Sequence, residues 1–301
     1  MGGFEGGDEG GFWDVDSISA LIDKQSDNKS KNTNKAKTYI ETSESGYSIK
    51  AHAKVTIFLK ITGHKDENLT LLSRAVRVEE LYDTISLVPC ECDSFTIEGC
   101  DDIPIEENTI YKAYKALCDY TADSDIVDFF NEHKVVVTKR ISSKAGLGGA
   151  SSDAAAFMHL LKEVCNLVLS TDELAKVGST IGADLPFFIY NYPSANVSGF
   201  GEIIEPFEEE ALNLQLCTPD IGCDTTVVCK TFKKHLLANI SLSSFSSWEK
   251  LDSKSILELI SDPALLNDLY PAALLAYPDL KKETKEGWFF SGSGSTFFKL
   301  L

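Results

Sequence analysis

The run Ala145-Gly146-Leu147-Gly148-Gly149-Ala150-Ser151-Ser152-Asp153 narrows the possible architectures more than any other segment of the chain. Upstream, the Val-rich stretch from Lys134 to Thr138 reads as a buried strand; downstream, Ala154, Phe157, Leu161 and Val164 fall on one helical stripe. Strand, glycine turn and helix thus follow in direct succession, within a mixed α+β chain. A glycine turn that feeds a helix N-terminus lets backbone N–H groups approach phosphate oxygens without Cβ interference, and the helix dipole favours the negative charge. Ser151 and Ser152 add hydroxyl donors at the helix start, and with Asp153 they separate this loop from an ordinary strand-to-helix connection. The chain has no Gly-x-x-x-x-Gly-Lys-Ser/Thr segment, which argues against a P-loop NTPase. Nor does the loop match Gly-x-Gly-x-x-Gly with an acidic residue about 20 positions on, as a dinucleotide fold requires.

The 301 residues, 43% of them hydrophobic, suffice for two packed domains without help from disulfides or metals. A formal net charge of -18 repels nucleic-acid phosphates and anionic lipid, and no basic patch offsets it, so the expected partner is a small molecule. Nucleic acid and membrane are not expected as partners, and the protein is expected to be a monomer or homodimer. The cysteines at 90, 92, 100, 118, 165, 217, 223 and 229 form no CxxC pair and have no histidine spaced to complete a zinc site, so all are expected to be reduced thiols, many of them buried. No apolar run approaches the roughly 20 residues of a membrane span, and the first thirty residues show no secretory signal, which predicts a cytoplasmic protein.

Along the chain, residues 1–48 are expected to form a disordered extension: a glycine-rich acidic start, a short apolar stretch from Ile18 to Ile22, then a Lys/Asn/Ser-rich run. Two domains follow, 49–205 and 206–301. In the strand Ala53 to Ile61, Val55, Ile57, Leu59 and Ile61 alternate with Lys54, Thr56, Phe58 and Lys60, which predicts an aliphatic face and an opposite face carrying Lys54 and Thr56. Further expectations are a strand at Thr84 to Val88, a helix at Asn108 to Leu117, and a helix opened by the capping box Ser170-Thr171-Asp172-Glu173 and ended by Gly182. In the second domain a strand is expected at Leu214 to Cys217, a helix at Trp248 to Ile260, and a last strand pair bracketing Ser291-Gly292-Ser293-Gly294-Ser295.

Gly146 to Ala155 is similar to the GLGGGSSDAA motif of the GHMP kinases and departs from it only at Ala150. Ala51-His52-Ala53-Lys54, the glycine loop and Ser291 to Ser295 resemble three of that family's motifs, in the family's order. Gly182-Ala183-Asp184-Leu185-Pro186-Phe187-Phe188 and Gly199-Phe200-Gly201-Glu202 resemble the branch whose acceptor is a diphosphocytidyl methylerythritol. The resemblance implies a GHMP kinase fold: an N-terminal ribosomal-protein-S5-like α/β domain plus a C-terminal ferredoxin-like domain, shortened at its end. It implies ATP and Mg2+ as cofactors, and transfer of phosphate to the 2-hydroxyl of that acceptor in the non-mevalonate isoprenoid route.

By the same resemblance Asp184 is the base that takes the acceptor's proton, and Lys54 pairs with Asp184 and contacts the same hydroxyl. The nucleotide is expected at Asn108, Lys139, Ser142, Ser143, Lys144, Ala145, Gly146, Leu147, Gly148, Gly149, Ala150, Ser151 and Ser152, with Ser151 or Ser152 reaching the metal. The acceptor is expected at Thr56, Leu69, Thr70 and Thr226. Against the family pattern, His52 replaces a proline, Thr56 an asparagine, Leu69-Thr70 a Tyr-His pair, and Cys229 a second stacking aromatic. Two alternatives fit the loop: a GHMP kinase for homoserine or a mevalonate-type alcohol, and a nucleotide-binding regulator that has lost catalysis.

Overall fold

The computed structural model describes residues 40–43, 46–66, 68–122, 124–239 and 247–301. The stretch from Ile18 to Ile22 and the rest of 1–39 lie outside the described residues. The first strands are β1 (Glu41–Ser43), β2 (Gly46–Lys65) and β3 (Asn68–Pro89). Tyr47 pairs with Leu87 and Ile49 is buried, so the ordered sheet begins before the boundary expected at residue 49.

β4 (Ile97–Glu98), α1 (Thr109–Thr121), α2 (Ser124–Phe129) and β5 (His133–Thr138) follow. Asn108 opens α1 as its N-cap, its side chain accepting the Ile110 N–H at 2.9 Å. After the glycine loop come α3 (Gly149–Val164), α4 (Thr171–Ser179), α5 (Leu185–Tyr190), β6 (Ser194–Gly199) and β7 (Ile203–Pro206). The capping box at Ser170 is present with both of its bonds. α4 closes at Ser179, and Gly182 sits in the turn beyond, its N–H on the Gly178 carbonyl at 3.2 Å.

These strands form one sheet of order β1-β2-β3-β5-β4, to which β6 and β7 add through β3. β3 is long enough to serve two neighbours along the edge that β2 leaves free: Leu71 to Val76 pair with β6, and Thr84 to Pro89 with β5. The apolar face of α3 covers the sheet, with Phe157, Leu160 and Leu161 in one core with Val135, Val137, Ile85 and Leu87. The second unit holds β8 (Leu214–Cys217), α6 (Thr225–His235), α7 (Ser253–Leu259), α8 (Pro263–Leu266), α9 (Leu269–Ala276), β9 (Phe289–Phe290) and β10 (Phe297–Leu300). Its sheet has the order β8-β10-β9, a ferredoxin-like layer with few strands, against which α6 and α9 pack. The helix expected at Trp248 to Ile260 is broken: a 3-10 turn covers Trp248–Lys250, and Asp252 then caps α7 by accepting the Ser255 N–H at 2.7 Å.

Further sequence expectations change. β2 is buried on both faces from Ala53 to Ile61, not on one: Ala53, Val55, Ile57, Leu59 and Ile61 pack into cores shared with the second unit, and Lys54 and Thr56, left exposed by the alternation, are buried as well. The strand also breaks its period at a bulge between Thr56 and Phe58, which lets Phe58 enter the apolar core with Val55 and Ile57. The sulfurs of Cys90 and Cys92 come together just beyond the end of β3, and of the six other cysteines only Cys223 is buried. No helix among the described residues is long and apolar enough to cross a membrane.

Arg74 on β3 ties the two units together. It is 0% exposed, and its guanidinium donates to Asn196 Oδ1 at 2.7 Å, to the Leu251 carbonyl at 3.2 Å and to the Glu249 carbonyl at 3.0 Å, with Glu209 3.5 Å away. Burial lowers the pKa of this guanidinium to about 10, against the pull of Glu209.

Candidate active site

The glycine loop sits between the two units because its carbonyls bind both. The Lys54 N–H of β2 donates to Leu147 O at 3.0 Å, Ser291 Oγ to Gly146 O at 3.0 Å, the Thr296 N–H to Ala145 O at 3.0 Å, and the Cys223 N–H to Lys144 O at 2.8 Å. With four successive carbonyls satisfied by protein, the N–H groups of the loop are the ones left for a ligand. Gly146 and Gly148 both have positive φ, +73° and +71°. A Cβ on Gly146 would stand 2.2 Å from the Ser291 carbonyl oxygen, and one on Gly148 2.7 Å from the Phe188 ring. These glycines are therefore required by the packing of the loop against protein, a tighter constraint than the approach of a phosphate alone.

A cavity of about 1030 Å³ opens over the loop. Lys54 and Asp184 both line it, Nζ to Oδ2 3.7 Å apart. The Lys54 side chain is 8% exposed and donates to Thr56 Oγ1 at 2.9 Å, which fixes the ammonium. Asp184 precedes Leu185-Pro186 at the start of α5 and makes no capping bond to that helix, so its half-exposed carboxylate is presented to the cavity.

Of the residues expected at the nucleotide, Asn108, Lys139, Ser142, Ser143, Lys144, Ala145, Gly146, Gly148, Gly149, Ala150 and Ser151 line this cavity. Leu147 and Ser152 do not. Leu147 is 1% exposed in the core, and Ser152 Oγ donates to the His52 carbonyl at 2.7 Å, which takes it away from any ligand. Lys139 lines the cavity, yet its ammonium is held by Asp83 Oδ2 and by Asp153 Oδ2 at 2.7 Å. It serves the loop more than a nucleotide: Asp83 Oδ1 accepts the N–H groups of Arg140 and Ile141, so one buried cluster anchors the segment that leads into the loop.

In that cluster two carboxylates share one ammonium. Burial raises the pKa of Asp153 to about 7, against the pull of Lys139, and Asp153 Oδ1 is buried without a hydrogen-bond partner. Burial also works against the Lys139 ammonium, but Asp153 and Asp83 outweigh it and hold its pKa above the ordinary lysine value.

On the acceptor side, Leu69 lines the cavity and Thr56, Thr70 and Thr226 do not. Thr56 is buried under Lys54, and Thr70 Oγ1 faces Thr62 Oγ1 at 3.0 Å. Thr226 donates its N–H to Asp224 at the start of α6, while Thr225 next to it reaches the cavity and meets Ser293 Oγ at 2.7 Å. Sequence reasoning missed Thr225, Ser293, Phe200 and Leu269 as cavity residues. Phe200 and Ser293 lay inside motifs already noted; for Leu269 there was no local signal. Also missed was Asn267, 1% exposed, whose Nδ2 donates to the carbonyls of Phe290 at 3.0 Å and Gly292 at 2.8 Å and so holds the Ser291 to Ser295 turn.

Residues 108–192 match the family described as GHMP kinases N terminal domain, the span from the α1 cap through Asp184 and α5. A solved structure of a 4-(cytidine 5'-diphospho)-2C-methyl-D-erythritol kinase superposes with a TM-score of 0.64 over 84% of this chain and 89% of that one, at 23% identity. The mevalonate kinase of Methanococcus jannaschii superposes with a TM-score of 0.55 over 86% of this chain and 91% of that one, at 14% identity; both likenesses concern the fold. In sequence, the 4-diphosphocytidyl-2-C-methyl-D-erythritol kinase of Sulfurimonas denitrificans is 42% identical, over 83% of this chain and 96% of its own length. That of a Sulfurovum species, strain NBC37-1, is 61% identical, over 84% of this chain and 99% of its own. Identity at this level across almost the full length of each relative means that the chain is a GHMP kinase and belongs to the 4-diphosphocytidyl-2-C-methyl-D-erythritol kinase family.

Proposed function

We propose that the chain transfers the γ-phosphoryl group of ATP to the 2-hydroxyl of 4-diphosphocytidyl-2-C-methyl-D-erythritol, the compound its relatives are named for. The observation that carries the reading is the Lys54–Asp184 pair, 3.7 Å apart at the cavity wall beside the glycine loop. Asp184 accepts the hydroxyl proton as the new O–P bond forms, and the bond from the γ-phosphorus to the bridging oxygen breaks to release ADP. Lys54 lies where it can hold the same hydroxyl and the charge that builds on it. The loop N–H groups and the N-terminus of α3 take the phosphates.

Mg2+, when bound with ATP, neutralises phosphate charge. Among the described residues no group of three His, Cys, Asp or Glu side chains could hold a metal, which suits an ion that keeps mostly phosphate and water ligands. Of the two hydroxyls expected to reach it, Ser151 lines the cavity while Ser152 is bonded to the His52 carbonyl, which favours Ser151. The proposed compartment is the cytoplasm, where Mg-ATP is supplied.

The test is a substrate panel. Purified protein with Mg-ATP should phosphorylate the cytidyl compound and leave homoserine and mevalonate untouched. A preference for either of those alcohols would overturn the acceptor assignment. ATP bound tightly but turned over with none of them would overturn the kinase reading itself.

A further inference from the structure

The cavity is lined in part by Leu59, Ile61, Leu69, Leu71, Cys229 and Leu269, members of one apolar cluster and all aliphatic except for one thiol. A pyrimidine placed there needs a flat face, because stacking is what a base gains from a protein surface whatever its edge pattern. Among the described residues that line the cavity, Phe200 is the single aromatic. Its side chain is 38% exposed although it is a phenylalanine. Isolated exposed rings are ordinary on a protein surface. This one differs because it faces a cavity from a turn fixed at three points.

The first point is the sheet: Leu71 pairs with Gly199, so the turn begins beside the aliphatic wall. The second is Glu202, whose Oε2 accepts the Phe200 N–H at 2.6 Å; a Cβ on Gly199, at φ +73°, would stand 2.6 Å from the same carboxylate. The third is Gly201, at φ +121°, where a Cβ would come within 2.6 Å of the carbonyl oxygen of Ala183, the neighbour of Asp184. The turn is thus seated against the loop that carries Asp184, and Phe200 lines the cavity from it at no cost in ordering a mobile segment.

Resting on the cytidyl-kinase reading, we propose that Phe200 is the stacking face for the cytosine of the acceptor. Phe200 determines base affinity and takes no part in phosphoryl transfer.

The test compares wild type, Phe200→Ala and Phe200→Tyr in the full chain, with the melting temperature measured alongside. In Phe200→Ala the KM for the cytidyl substrate and the Ki for CMP should both rise by roughly 5- to 150-fold, the range of a lost base–aromatic stack. kcat and the KM for ATP should stay at wild-type values, and Phe200→Tyr should restore both cytidyl constants. Unchanged KM and Ki in Phe200→Ala would overturn the proposal. So would a rise in KM with CMP inhibition unchanged, which would put the ring over the erythritol, or a fall in kcat alone, which would make it a support for Asp184. Wild-type protein that turns over the cytidyl compound keeps the parent reading alive in each of these cases; wild-type protein that does not turn it over sinks that reading instead.

Discussion

A carboxylate 3.7 Å from an ammonium is too far for a strong hydrogen bond and too exposed to stabilise the fold appreciably. The geometry makes sense if a hydroxyl enters between them. Asp184→Asn keeps the shape and removes the proton acceptor, so kcat should fall by roughly 10²–10⁴-fold with the KM for ATP and the melting temperature unchanged. Steady-state kinetics beside a thermal melt would check this, and wild-type kcat in the variant would remove Asp184 from the reaction. Both members of the pair were legible in the sequence because each lies in a short contiguous motif. Thr225 was not, since Thr226 is chemically its equal and only the start of α6 decides which of the two turns inward. Asn267 was hidden for a different reason. Its partners, Phe290 and Gly292, lie more than twenty positions away, and a buried amide carries no periodic signal.

At the scale of elements, the passage from β5 through the loop into α3 depends on a buried charge cluster whose members come from three separate segments. Asp153 has its folded pKa raised to about 7, above the value of 3.8 it takes as an isolated side chain. The folded state therefore binds a proton more tightly there, and stability from this group is fully present below pH 3.8 and is lost as the pH rises through 7. Asp153→Asn cannot lose that proton, so its melting temperature should decline less than that of wild type between pH 5 and 8. The difference should not exceed ~1.4 kcal/mol per pH unit. Melts in a series of buffers would decide it, and parallel pH profiles would show that Asp153 does not titrate in this range. Strand, loop and helix here were read from the sequence without error in kind, since period and glycine are local signals. The cluster beneath them was not, because the residue Asp83 contributes from β3 is 56 positions away from Lys139.

For the whole molecule, composition placed the start of the fold at residue 49, but pairing places it earlier: Glu41 to Ser43 form β1 on the edge of β2, and Tyr47 and Ser48 are already paired with β3. Removing residues 1–39 should leave melting temperature and turnover near wild type, whereas removal through residue 48 should lower the melting temperature measurably, since it strips ladder partners from Leu87 and Ser86. Differential scanning calorimetry of the two truncations tests the boundary; equal melting temperatures would return it to residue 49. One further property of β2 was invisible in its alternation. Ile49 and Ala51 belong to the core under α3, Ala53, Val55, Ile57 and Phe58 to a second core with Trp248 and Leu266, and Leu59 and Ile61 to a third with α6 and α9. A strand packed into three interiors cannot bend at any point without opening one of them. It offers no hinge, so any closure over nucleotide and acceptor must be a movement of surface loops about a stationary frame. Lys54 lies on that frame, so in the proposed reaction it would stay in place while nucleotide and acceptor are brought to it.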